Sequence, residues 1–175
     1  MQSAHPNLYI GAPRGKGCSK TISVITSKIR RLSKKCGGRL LDIGCGDGSF
    51  TTMLSDDFNE VHGIDVQDNY LSAFRDLVRD CPRYIINNMS ASEMTFPDGY
   101  FDKIVSIETL EHVPDLENAA HHIARVLATG GEFILTVPNR WFPFENHGIQ
   151  IGQWKKAGRI PLLPYIPWLH KRFAQ

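Results

Sequence analysis

The sequence predicts an α/β fold: a doubly wound, mostly parallel sheet with helices on both faces. Three observations predict it. Strand-like segments of five to seven residues, rich in Leu, Ile, Val, Phe and Tyr, alternate with stretches of helical periodicity between residues 39 and 137. A turn with glycine at every second position, Gly44, Gly46 and Gly48, directly follows the first run. Asp42, Asp65, Ser90 and Glu108 fall at or just after predicted strand ends, which right-handed crossovers bring to one edge of a parallel sheet.

The elements follow in order. Residues 1–18 hold His5, Pro6, Pro13 and three glycines without periodicity. They read as an arm, in which Tyr9, Arg14 and Lys16 are candidates to lie over a ligand. From Ser19 onward, Ile22, Ile25, Ile29 and Leu32 recur at helical spacing, with Lys28, Arg30, Arg31, Lys34 and Lys35 between them. This is an amphipathic helix with a basic, solvated face, ended by Gly37-Gly38. Residues 1–38 are thus expected to precede a core over residues 39–139. The first strand is Arg39–Ile43, and Phe50, Met53 and Leu54 mark a short helix beyond the glycines. Glu60–Asp65 is the second strand. Leu71, Phe74, Leu77 and Val78 mark a helix over 69–79, stopped by Cys81-Pro82. The third strand covers 83–87, Phe96-Pro97-Asp98-Gly99 is a turn, and Phe101–Ile107 is the fourth strand. Pro114-Asp115 opens a helix carrying Leu116, Ala119, Ala120, Ile123, Val126 and Leu127. Gly130-Gly131 closes it before a fifth strand over 132–137. Residues 140–175 differ: Pro143, Pro161, Pro164 and Pro167 alternate with Trp141, Phe142, Phe144, Trp154, Tyr165, Trp168 and Phe173, and no strand pattern is visible. They read as an aromatic cap packed on the sheet, or as a lid facing a substrate.

Composition narrows the function classes. The 175 residues suit one domain, and 42% hydrophobic content is that of a globular protein. A net charge of +2 gives no argument for nucleic acid or an anionic membrane. No apolar run approaches the roughly 20 residues needed to span a bilayer, and the N-terminus lacks a signal peptide's apolar core. Cys18, Cys36, Cys45 and Cys81 are scattered, without a C-x-x-C pair, so free thiols and a cytoplasmic setting are expected.

The stretch Leu40–Phe50 carries the chemistry. A glycine turn after a strand brings backbone close to a ligand and bares amides at the next helix. The dinucleotide fingerprint is G-x-G-x-x-G; here the spacing is G-x-G-x-G, two residues after Asp42 and with Asp47 inside it. Two carboxylates disfavour a pyrophosphate and favour a cationic ligand; a bare tight turn is the alternative. Asp42-Ile-Gly-Cys-Gly-Asp-Gly-Ser-Phe50 resembles the first motif of the class I S-adenosylmethionine-dependent methyltransferases, type 11 group, and the resemblance runs from about Arg39 to Asn139. It implies a Rossmann-like sheet and S-adenosylmethionine as cofactor, bordered by Asp42, Gly44, Cys45 and Gly46. Asp65, about twenty residues after the first glycine, matches the acid that accepts the ribose hydroxyls, or else caps a helix. Val66 matches the residue on the adenine face. Ser90-Ala91 stands where relatives often carry Asp-x; Ser90 can still accept one hydrogen bond. Ile107 borders the methionine part. Phe96–Asp102 resembles the family's phenylalanine-rich turn and reads as structural. Such enzymes normally add two further strands after the fifth, so the chain either lacks them or stops before them.

Glu108, Glu111 and His112 form an E-x-x-E-H array. On a helical turn its members share a face that can hold a divalent metal. The array is similar to the metal-binding sequence of ubiquinone-pathway O-methyltransferases and of enzymes that methylate the 2′-hydroxyl at an RNA 3′ end. Alternatively, Glu111 and His112 only orient the loop. His112 and His147 are the candidate general bases; His147 is equally a fourth metal ligand or a surface histidine. The expected function is methyl transfer from S-adenosylmethionine to a small-molecule acceptor, through oxygen. The alternatives are metal-assisted methylation of an RNA end, compatible with the basic helix but not indicated by it, and a cofactor-binding module without catalysis.

Overall fold

The computed structural model describes residues 19–32, 37–137, 149–151 and 154–156. Five strands, β1 (Arg39–Ile43), β2 (Glu60–Asp65), β3 (Tyr84–Asn88), β4 (Phe101–Ile107) and β5 (Leu127–Thr136), form one sheet in the order β3-β2-β1-β4-β5. All four pairings are parallel, as expected. The chain winds outward from β1 through β2 to β3, then returns to lay β4 on the other side of β1. The crevice beyond the ends of β1 and β4 is therefore the switch point where open α/β sheets hold ligands.

The central strands are buried on both faces, which explains the apolar pairs Leu40-Leu41 and Ile104-Val105 and the burial of Asp42, His62, Lys103 and Ser106 beside them. On one face Ile22 and Ile29 of α1 (Ser19–Leu32) and Phe50 and Leu54 of α2 (Ser49–Leu54) pack on Leu40, Val61, Val105 and Ile107. The first helix is thus part of the core's packing. On the other face Ala119, Ile123 and Val126 of α4 (Leu116–Val126) pack on Leu41, Ile43, Ile64 and Ile104. Leu71 and Phe74 of α3 (Asp68–Leu77) close over Cys45.

Two expectations are corrected. Gly130-Gly131 does not separate α4 from β5: the strand starts at Leu127 and runs through both glycines. Pairing jumps from Phe101↔Leu127 to Lys103↔Glu132, and the extra residues bulge out with Gly130 at φ 72°. A Cβ on Gly131 would overlap Leu127 and the carbonyl of Ala128 and crowd that of Asp102, so the bulge favours glycine there. Secondly, residues 140–175 do carry strand, although the main sheet, as expected, has no strand after β5 among the described residues. The described residues divide into two compact units, and the smaller contains β6 (Ile149–Ile151) and β7 (Trp154–Lys156), paired antiparallel as a separate two-stranded sheet. Strands of three residues are too short for an alternation to show.

At the N-terminal ends of the strands, Glu60 Oε1 accepts hydrogen bonds from His62 Nε2 (2.8 Å) and Tyr100 OH (3.0 Å) and pairs with Arg39 Nε (3.3 Å). The bond from His62, chiefly, holds the Glu60 carboxyl below the usual carboxylate range. The bond to Glu60, chiefly, raises the Tyr100 phenol above its ordinary value of 10.0. The lowered acid stabilises the fold above its unfolded pKa, and that contribution fades as pH falls through the folded value. The raised phenol stabilises it below its unfolded pKa and loses this as pH rises through the folded value. Tyr100→Phe is therefore expected to lower the urea midpoint at neutral pH, with the gap to wild type closing at both extremes. A gap independent of pH would remove this hydrogen bond from the account.

Candidate functional site

The site is built at the C-terminal ends of β1, β2 and β4. Gly44 N and Cys45 N both donate to Ile64 O (2.8 and 3.1 Å), so the turn leaves β1 but stays stitched to β2. Gly44, Gly46 and Gly48 have φ of 78°, 54° and 78°, the left-handed region. Their surroundings differ. A Cβ on Gly44 would overlap the Thr109 side chain, and one on Gly48 would overlap the Phe74 ring. A Cβ on Gly46 would meet nothing within 4 Å. Two glycines therefore exist for packing within the protein, and Gly46 alone of the three faces open space.

Asp65 borders that space. Its Oδ2 accepts from Gly46 N (3.0 Å) and its Oδ1 from Gln67 N (2.9 Å). Two backbone donors fix the carboxylate at the end of β2 and leave it acceptor capacity for a diol. Val66, 48% exposed, offers an apolar surface beside it. Asp42 is buried and accepts the Thr51 hydroxyl at 2.6 Å, so it works behind the turn. Burial first, then the charges of Asp42 and Asp65, push the Cys45 thiol far above its ordinary pKa and keep it neutral. The turn thus lies in a negative field suited to a cationic ligand.

The other expected cofactor residues are placed less directly. The side chains of Cys45, Ala91 and Ile107 are buried in the core, so any contact they make with a ligand is through backbone. Ser90 caps a short 3-10 turn: its Oγ accepts from Ser92 N (3.3 Å) and lies 2.9 Å from Ser92 Oγ. That engagement accounts for the serine without an adenine contact.

After β4 the chain kinks. Glu108 has φ 54°, the one non-glycine positive φ among the described residues, and its N–H donates to Thr136 O at 3.0 Å. A 3-10 turn over Leu110–His112 follows, with His112 44% exposed and its Nε2 3.8 Å from Glu111 Oε1.

Residues 41–135 match the family described as a methyltransferase domain, type 11. The chain belongs to this family. S-adenosylmethionine is its cofactor, and the open space at Gly46, the fixed acceptor Asp65 and the exposed Val66 fit that molecule. Similar proteins include the 2-methyl-6-phytyl-1,4-hydroquinone methyltransferase of Synechocystis, 30% identical over 79% of this chain and 42% of its own length. Another is the ubiquinone biosynthesis O-methyltransferase of Azoarcus, 31% identical over 61% of this chain and 46% of its own. Among solved structures, a protein of Pyrococcus horikoshii superposes with a TM-score of 0.65 at 25% identity, over 72% of this chain and 57% of that one. An S-adenosylmethionine-dependent methyltransferase of Mesorhizobium loti gives 0.61 at 23% identity, over 67% and 55%. The chain spans less than half the length of these curated relatives.

The helical spacing expected of the E-x-x-E-H array is corrected. Glu108, Glu111 and His112 do not share a helical face, because Glu108 is left-handed and the 3-10 turn begins only at Leu110. Among the described residues no group of three or more His, Cys, Asp or Glu side chains could hold a metal ion. His147 lies outside the described residues, as do Tyr9, Arg14, Lys16 and the aromatic tail beyond Lys156. No described helix is long and apolar enough to cross a membrane. Two contributors escaped the sequence reading: Thr51, which holds Asp42, and Thr109, which fills the notch at Gly44. For Thr109 the available signal was Gly44, a glycine that leaves room for a neighbour pressed against it.

Proposed function

We propose that the protein transfers a methyl group from S-adenosylmethionine to a hydroxyl of a small organic acceptor. The observation that carries this is the pairing of two features at one sheet edge. Asp65 is fixed beside the open space at Gly46, and an exposed imidazole, His112, stands on the turn after β4. Asp65 accepts the ribose hydroxyls and Val66 backs the adenine. The bound cofactor supplies an electrophilic sulfonium methyl whose departure leaves a neutral thioether. Positioning the acceptor oxygen then gives much of the rate. His112 takes the hydroxyl proton at a ring nitrogen, which an amine or carbon acceptor would not require in the same way. The named relatives that act on hydroquinone and ubiquinone precursors support a small-molecule acceptor.

The test is transfer of labelled methyl to matched acceptors bearing a hydroxyl or an amine, starting with hydroquinones. Label on the hydroxyl compounds is expected; label confined to amines or to RNA would overturn the reading. Asp65→Ala is expected to weaken cofactor binding by roughly 10–100-fold, the loss of one or two charged hydrogen bonds, with an unchanged circular dichroism spectrum. Unchanged affinity in calorimetry would remove Asp65 from the site.

A further inference from the structure

The loop after β4 holds a strain that proton transfer by His112 does not require. A residue with a Cβ adopts φ 54°, as Glu108 does, only where its surroundings compel it. The kink directs Thr109 into the notch that the missing Cβ of Gly44 leaves. Thr109 is anchored there: its Oγ1 donates to Ile107 O at 3.1 Å, while the preceding N–H, of Glu108, is bonded to β5 through Thr136 O. On the other side, Gly44 is bonded to β2 through Ile64 O. Thr109 O also accepts from His112 N at 2.9 Å, so the residue in the notch opens the turn that carries Glu111 and His112.

We propose that Thr109 is a positioning residue that couples the cofactor turn to the turn bearing His112. The two loops interlock with no space between Gly44 and the Thr109 side chain. Close-packed contacts of this kind transmit displacement rather than absorb it. Cofactor bound against Gly44–Gly46 stills the turn, and Thr109 passes that order to the Leu110–His112 turn. The acceptor side is thereby set for reaction only when the methyl donor is in place. The inference goes beyond the choice of acceptor and holds for a hydroxyl or an amine alike.

Amide hydrogen exchange of the full chain tests it, read at His112 and Val113 with and without saturating S-adenosylmethionine. In wild type the cofactor is expected to slow exchange at both amides by about tenfold or more. In Thr109→Ala the cofactor still binds by calorimetry, but the logarithm of the slowing falls below half the wild-type value. Thr109→Val, which keeps the shape and loses the hydroxyl, is expected to retain more than half. Three results would overturn the proposal: no slowing in wild type, half or more of it retained in Thr109→Ala, or a folded Thr109→Ala that no longer binds cofactor. If the alanine variant does not fold, Thr109→Ser keeps the bond to Ile107 and removes only the methyl. Slowing smaller than wild type then supports the coupling, and equal slowing overturns it.

Discussion

Alanine at His112 is expected to slow methyl transfer by about 10²–10⁴-fold, the usual range for losing a general base. S-adenosylmethionine affinity should stay within about twofold, because the contacts proposed for the cofactor, at Gly46, Asp65 and Val66, follow β1 and β2 and lie off the 3-10 turn. Two measurements separate these effects: single-turnover rates with bound cofactor, and calorimetry without acceptor. The pH profile adds a third. A base must be unprotonated to act, so the wild-type rate should fall as the solution is acidified and an imidazole gains its proton. In His112→Ala that acid limb should disappear, leaving a low, flat rate. Glu111→Gln is expected to do less, since its carboxylate lies 3.8 Å from His112 Nε2, beyond hydrogen-bonding distance. A full rate in His112→Ala at every pH would assign proton acceptance to another group and weaken the case for a hydroxyl acceptor.

How far the sequence disclosed this site depends on which physical signal each residue leaves. The buried strands were legible because a parallel sheet covered on both faces favours adjacent apolar residues over strict alternation, as in Leu40-Leu41 and Ile104-Val105. The place of Asp65 at the end of β2 was legible because a strand-ending acid at a set distance from a glycine turn is itself the signal. Its bond to Gly46 N was not, since that is a through-space fact between residues nineteen apart. The helical reading of the E-x-x-E-H array failed for a definite reason. Helical spacing was assumed for a segment whose first residue is left-handed, and a single φ of opposite sign removes Glu108 from the common face. Similarly, Gly130-Gly131 has the composition of a helix stop, yet the pairing of β5 with β4 around a bulge outweighs that local preference. Local rules fail here where a neighbouring strand imposes the backbone.

The glycines offer the sharpest separation of folding from function. Gly44→Ala and Gly46→Ala add the same methyl group two residues apart, at φ of 78° and 54°. Both carry the penalty of a left-handed backbone, about 1–2 kcal/mol. At Gly44 the new methyl also overlaps Thr109, and forcing such a contact adds about 1–3 kcal/mol. The combined loss of roughly 2–5 kcal/mol is a large part of a domain's ordinary 5–15. At roughly 2–4 °C per kcal/mol it should lower the melting temperature by about 4–20 °C. At Gly46 the methyl enters open space, so only the backbone penalty remains and melting should fall by about 2–8 °C, while the methyl occupies room proposed for the cofactor. A loss of about tenfold or more in S-adenosylmethionine affinity is expected there, equivalent to about 1.4 kcal/mol. Melting scans and calorimetry on the two variants therefore give opposite patterns if Gly44 serves the interlock and Gly46 the ligand. A Gly46→Ala protein that binds S-adenosylmethionine as tightly as wild type would place the cofactor away from this turn, and with it the role assigned to Asp65.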